Sequence, residues 1–262
     1  MDYTSLTNEI CKLKNTKDVK ITTIGKSLEQ RDIYLIRLGR GAKKLLINAT
    51  HHALEAITAD LVMRITENLI ETCAYKGVTV YIVPMVNPDG VEIAKTVHDW
   101  QANARGVDLN HNYDAGFYKG KLEAAKEGIT RPGPTRYSGA HPESEPESAA
   151  MAYLARRECF DMTLCFHSQG EVIYWDYEKK ASKADKSIAE RLARAAGYAL
   201  DETVGVSSYS GYKDYIIDKL HKTAFTIEVG KGVNPLPEAQ LGDIYIRNFA
   251  LVTEALAQIK IH

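Results

Sequence analysis

His52-Ala53-Leu54-Glu55 sets an imidazole and a carboxylate three residues apart, one residue after the apolar run KLLINAT and at the start of a helical apolar pattern. Side chains at i and i+3 face one side there, so both can reach a single ion. On its own the spacing recurs by chance, and a surface His–Glu pair is more often a salt bridge than a ligand set. Three further strand-like runs end in polar residues that can join it: MTLCF leads into His167, TAFTI into Glu228, and YIVPMV into Asn87-Pro88-Asp89-Gly90. In an open α/β sheet the ligand crevice lies at the carboxyl ends of the strands, so groups delivered there by separate strands converge. Two histidines and a carboxylate, with a fourth position left for water, compose a hydrolytic zinc site; a closed structural site would add a fourth ligand, usually cysteine. The expectation is one Zn2+ held by His52, Glu55 and His167. Glu228 is then left to accept a proton from a water whose pKa the metal lowers from about 15.7 to about 7. This is the chemistry of a peptidase or a deacylase. The side chain of His51 leaves in another direction from that of His52 and reads as structural or outer-shell. His98, His141, His221 and His262 stand in polar segments and read as solvated.

Strand ends can converge only if a sheet carries them. RDIYLIRLG, KLLINAT, VTVYIVPMVN, DMTLCFHS and TAFTIEVG read as strands, several apolar enough to be covered on both faces. Helical periodicity runs through Ile57, Leu61, Val62, Ile65 and Leu69, again in SEPESAAMAYLARRE and KSIAERLARAAGYAL, and from Leu236 to Ile261. The stretch from Asp114 to Pro142 reads as a long loop with one short helix, bordering a cleft. No repeat or linker divides the chain, so residues 1–262 are expected to form a single α/β domain, a central sheet with helices on both faces.

The bulk composition narrows the partners. With 33 Lys+Arg against 34 Asp+Glu the net charge is -1, and no basic stripe offers a footprint for nucleic acid. MDYTSLTNEICKLKNTKDVK lacks an apolar export segment, and no apolar run approaches a membrane span. The expectation is a soluble, cytoplasmic chain, or an extracellular or spore-associated one if it is the trimmed catalytic domain of a longer protein. Cys11, Cys73, Cys159 and Cys165 are scattered without a C-x-x-C pair and read as reduced thiols.

From about Asn48 through Pro237 these motifs resemble, in order, the metallocarboxypeptidase (funnelin) family. Its H-x-x-E pair resembles His52 and Glu55, its H-S segment His167-Ser168, and its strand-end general base Glu228 in FTIEVG; NPDG at 87–90 and GVDLN at 106–110 also match. The resemblance implies a mixed central sheet of zinc carboxypeptidase type and makes Asp108 the carboxylate that orients His52, as a ligating histidine needs its other nitrogen fixed. The departures bear on substrate. Where family members carry an Asn-Arg pair for the substrate's terminal carboxylate, this chain has Asn110-His111. The family's mobile tyrosine, about 22 residues before the base, would fall on Val206, with Tyr209 the nearest phenol. Its Trp-Arg pair reads Trp100-Gln101, leaving Arg105 as the nearest basic candidate to stabilise the oxyanion.

HHALEAIT, WQANARGVDLN, GPTRYSG followed by SEPES, GYKDY and TIEVGKGVNPLP resemble a narrower branch, the bacterial γ-D-glutamyl-L-diamino acid endopeptidases. That resemblance implies a peptidoglycan-derived peptide as substrate, cut between γ-D-glutamate and the diamino acid, meso-diaminopimelate. Replacing an arginine fork by His111 removes a permanent bidentate cation and weakens discrimination for a chain terminus. Arg105 and Lys213 are the basic groups available for the free α-carboxylate of D-glutamate. The alternatives are an ordinary zinc carboxypeptidase, a zinc deacylase of the aminoacylase type, and a non-enzymatic wall-peptide binder on a retired peptidase scaffold. A serine hydrolase fails on spacing, since GVSSYSG has Tyr209 where a nucleophile elbow needs glycine.

Overall fold

The computed structural model describes residues 1–203 and 205–261, so the expectation for His262 lies outside the described residues. The strands are β1 (Val19–Lys26), β2 (Asp32–Leu38), β3 (Lys43–Ala49), β4 (Val78–Val83), β5 (Met162–Ser168), β6 (Val172–Tyr174), β7 (Ala199–Asp201) and β8 (Thr223–Val229). The helices are α1 (Tyr3–Leu13), α2 (Ile57–Thr72), α3 (Pro88–Ala94), α4 (Phe117–Lys126), α5 (Pro146–Glu158), α6 (Lys183–Ala196), α7 (Tyr212–Leu220) and α8 (Leu241–Ile261). One sheet in the order β1-β2-β4-β3-β5-β8-β6-β7 takes in every strand.

The apolar runs foreseen as central strands become β4, β3, β5 and β8, which pair parallel in that order. Side chains of a strand alternate between faces, and here both faces are dry. Leu45 and Ile47 join the apolar layer under α2, α6 and α8, while Leu46 joins the layer under α5 and α7. Antiparallel β2 and β6 flank this core and make the sheet mixed. The elements not foreseen lack a long apolar run. In β1 Lys and Thr side chains interrupt the pattern, and β6 and β7 span three residues each. Helix α1 buries only Leu6, Ile10 and Leu13, with Asp2 accepting from the Ser5 N–H as its cap. Helix α4 is the short helix expected in the loop after Asp114.

Strand order decides where the polar strand ends meet. After β3 the chain runs through α2 to β4 on one side, whereas β5 lies against β3 on the other. Between β3 and β5 the direction of winding reverses, and the crevice of an open α/β sheet opens at that point. Next to β5 stands β8, with His167 paired in register with Glu228. Among the described residues no helix is long and apolar enough to cross a membrane.

Candidate active site

Beyond the end of β3 the chain turns sharply. Thr50 adopts φ +57°, its N–H bonds the Thr58 hydroxyl at 3.1 Å, and the two hydroxyls sit 2.9 Å apart. This joint fixes the entry to α2, and a one-turn 3-10 helix, Ala53–Glu55, carries Glu55 back beside His52. His52 Nδ1 lies 2.8 Å from Glu55 Oε1, His167 Nδ1 2.9 Å from Glu55 Oε2, and the two Nδ1 atoms 3.3 Å apart. Potential ligand atoms of these three residues all lie within 4.8 Å of one another. The donor set fits zinc: two imidazole nitrogens turned toward each other across a carboxylate are arranged to share a cation. Behind them, His52 Nε2 stands 3.2 Å from Asp108 Oδ1, which selects the tautomer whose Nδ1 lone pair faces the centre. The other oxygen of Asp108 accepts from the Arg136 N–H at 2.9 Å.

Charge is tightly matched here. Burial raises the pKa of Glu55, but the neighbouring His52 and His167 outweigh it and hold the carboxyl near about 2. Burial likewise opposes a charge on His52, and Glu55 with Asp108 overcomes it, lifting the imidazole well above its usual pKa. Asp108, buried beside His52 and His111, is held well below the ordinary carboxylate range. Glu228 has the opposite environment: desolvation, reinforced by the charge of Glu55, pushes it well above that range, the direction that makes a carboxylate a stronger base. His51 is fully buried; desolvation keeps it neutral, its Nε2 bonds the Tyr113 hydroxyl at 2.9 Å, and its ring stacks 5.6 Å from that of His167. It supports His167 from behind, as a structural histidine. His98, His141 and His221 are exposed.

A cleft of about 330 Å³ opens from His52 and Glu228. Asn110, His111 and Lys213 are among its lining residues. The Asn110 side-chain Oδ1 accepts from the Tyr212 N–H at 3.0 Å, at the start of α7. His111 Nδ1 lies 3.2 Å from the Tyr209 carbonyl, so it carries the proton, and burial lowers the ring's pKa. His111 therefore enters the cleft wall as a neutral ring. Lys213 is buried, with Nζ 2.5 Å from both the Asp176 carbonyl and Asp214 Oδ1.

Arg105, the sequence candidate for stabilising the oxyanion, is not among the cleft-lining residues; its guanidinium lies 3.4 Å from Glu145, with the side chain 55% exposed. The backbone turn at 103–107, with Arg105 N bonded to the Asn103 side chain, directs it there. Val206 is buried, and the Tyr209 ring packs against α4 at Gly116 and Gly120, outside the cleft lining. The phenol that does line the cleft is Tyr174, which the sequence reading missed. Its pKa is raised by burial and by the charge of Glu228, and its strand is too short to register as a pattern. Asp201 and Glu202, exposed at the cleft mouth, were likewise not foreseen.

The family model described as zinc carboxypeptidase matches residues 9–250. Gamma-D-glutamyl-L-diamino acid endopeptidase 1 of Lysinibacillus sphaericus is 33% identical over 279 residues, spanning 93% of this chain and 69% of that protein. Bovine thrombin-activatable fibrinolysis inhibitor superposes with a TM-score of 0.81 at 20% identity, over 99% of this chain and 95% of that one. Murein-tripeptide amidase MpaA from Escherichia coli O157 superposes with a TM-score of 0.62 at 23% identity, over 89% and 91%. At such identities these two structures speak for the fold.

Proposed function

Because this chain belongs to the zinc carboxypeptidase family and is a zinc metallopeptidase, we propose that it hydrolyses the γ-D-glutamyl–diamino acid bond of peptidoglycan stem peptides. The observation that carries the substrate reading is His111, a neutral ring in the cleft wall where an exopeptidase of this family presents arginine to a terminal carboxylate. The name of the Lysinibacillus relative supports the same substrate class.

His52, Glu55 and His167 would hold the zinc. Zinc bound there polarises the scissile carbonyl and lowers the pKa of water. Asp108 keeps the His52 ring in the ligating tautomer. Glu228 accepts the proton of the attacking water as the oxygen bonds to the γ-carbonyl carbon. It then passes that proton to the departing amine as the C–N bond breaks, which releases the diamino acid with a neutral or protonated amine. Lys213 has two partners for its three N–H groups and offers the third to a substrate carboxylate.

Mass spectrometry of a digest of L-Ala-γ-D-Glu-meso-diaminopimelate tests the reading. Release of L-Ala-D-Glu is the expected product. Stepwise loss of C-terminal residues from all-L peptides, with the tripeptide left intact, would overturn it in favour of a plain carboxypeptidase.

A further inference from the structure

The SEPES segment, Ser144 to Ser148, takes no part in the chemistry above, yet it holds a dense set of buried polar groups. Glu145, Glu147 and Ser148 are buried, as are Asn103 and Asn112 facing them. Asn103 donates its amide to Glu145 Oε2 at 2.9 Å and to Glu147 Oε2 at 3.3 Å. The other oxygen of Glu147 accepts from the Leu28 N–H at 3.2 Å. The freed carbonyl of Asn103 accepts from the N–H groups of Arg105 and Val107, both at 3.0 Å, and so shapes the turn that ends at Asp108. On the far side of Asp108, the Glu145 N–H bonds Asn112 Oδ1 at 3.2 Å and the Ser144 hydroxyl accepts from Asn112 Nδ2 at 3.0 Å.

One short segment at the start of α5 thus grips the 103–112 loop at both ends, and between the grips lie Asp108, Asn110 and His111. Buried acids are costly and persist only where hydrogen bonds and geometry compensate. No cation lies within 4.0 Å of Glu147 among the described residues, and desolvation, reinforced by Asp89, pushes its pKa up to about 7. A carboxylate placed at such cost for packing alone would be replaced by an apolar side chain without loss. In its ionised form both its oxygens accept, one from Asn103 and one from the Leu28 N–H, and glutamine cannot copy that: one end of its amide is a donor and meets either the Leu28 N–H or the Asn103 amide.

We infer that Glu145 and Glu147 are positioning residues for the metal centre: they hold Asn103, and Asn103 sets the turn from which Asp108 meets His52. The inference rests on the zinc ligand set proposed above. It also gives Arg105 a place, as an outer contact of Glu145.

Zinc affinity, measured by chelator competition on the full chain at about pH 8, where Glu147 is ionised, tests it in two backgrounds. Glu147→Gln should raise the zinc Kd about tenfold, the low end of what a lost supporting partner costs. In an Asp108→Ala background the same change should alter Kd by less than about twofold, because the path through Asp108 is already cut. Restoration of Kd by Glu147→Asp relative to Glu147→Gln adds support, since the shorter acid is again an acceptor at both oxygens. A Glu147→Gln protein with parental Kd, or an equal fold-change in both backgrounds, overturns the inference. If Glu147→Gln does not fold, Glu145→Gln is compared in the same two backgrounds with the same outcomes. A parent that takes up no zinc overturns the ligand set and this inference with it, whereas failure to cleave the tripeptide bears only on the substrate reading.

Discussion

The floor of the cleft and its outer wall are built on different principles. His167 and Glu228 come from strand ends in the dry centre of the sheet, His52 and Glu55 from the 3-10 turn just beyond β3, and Glu55 alone contacts two ring nitrogens within 2.9 Å. The wall residues Asp201, Glu202, Thr203, Ser207 and Gly211 stand at and beyond the end of the short strand β7, and their acids, Asp201 and Glu202, are exposed, with no cation within 4.0 Å among the described residues. A site on rigid elements with supporting hydrogen bonds keeps its geometry before substrate arrives, whereas a loop wall tunes what enters. Chemistry should therefore fail when the floor is altered, and selection when the wall is.

The largest effect is expected at the ligands. His167→Ala should leave the purified protein without stoichiometric zinc and without measurable turnover, while His51→Ala should retain metal; elemental analysis decides, and the reverse pattern would reassign the ligands. Next comes Glu228→Gln, which should keep one zinc and the fold but lose about 10²–10⁴-fold in kcat, the usual worth of a positioned proton acceptor. Near-parental kcat in that variant would remove Glu228 as the base.

A smaller effect tests the support behind the floor through pH. The folded pKa of Glu147, about 7, exceeds its unfolded value of 4.5, so between those values the folded chain keeps a proton that the unfolded chain has lost. The stability from this group is fully present below pH 4.5 and falls as pH rises to 7, by up to about 3 kcal/mol at about 1.4 kcal/mol per unit. The groups around it are Asn103 and the Leu28 N–H, with Glu145 sharing Asn103 and Asp89 paired to Arg31. Denaturant unfolding of Glu147→Gln and its parent, both in the metal-free His167→Ala background, should show the parent losing ground between pH 4.5 and 7. Parallel curves would refute it. The smallest effect belongs to the wall: Glu202→Gln should leave zinc and kcat within about twofold and raise KM up to about fivefold for substrates with a free ammonium, as expected of an exposed charge. A loss in kcat instead would erase the contrast between floor and wall.

Much of the floor was legible because its signals are local. Strands β3, β5 and β8 are apolar runs ending at a polar residue, and the i, i+3 spacing of His52 and Glu55 survives as a single 3-10 turn. Little of the wall was legible. Tyr174 sits on a three-residue strand, and Asp201 and Glu202 are ordinary exposed acids in the linear chain. The place of Arg105 was not legible for a related reason: proximity in sequence to Trp100 and Asp108 says nothing about which way a turn throws a side chain, and here the turn at Asn103 sets it beside Glu145.

By itself, then, the sequence determined the elements that carry chemistry and the residue types at their ends, because strand and helix periodicities and metal-ligand preferences act over a few residues. Only the tertiary structure decided that β5 would lie beside β3 and β8 beside β5, which brings residues 52, 167 and 228 together. It also set Arg105 beside Glu145 and put Lys213 and Tyr174 into the cleft lining. Those outcomes depend on sheet order and on hydrogen bonds between segments far apart in the chain, such as Asn103 with Glu147, and no local pattern encodes them.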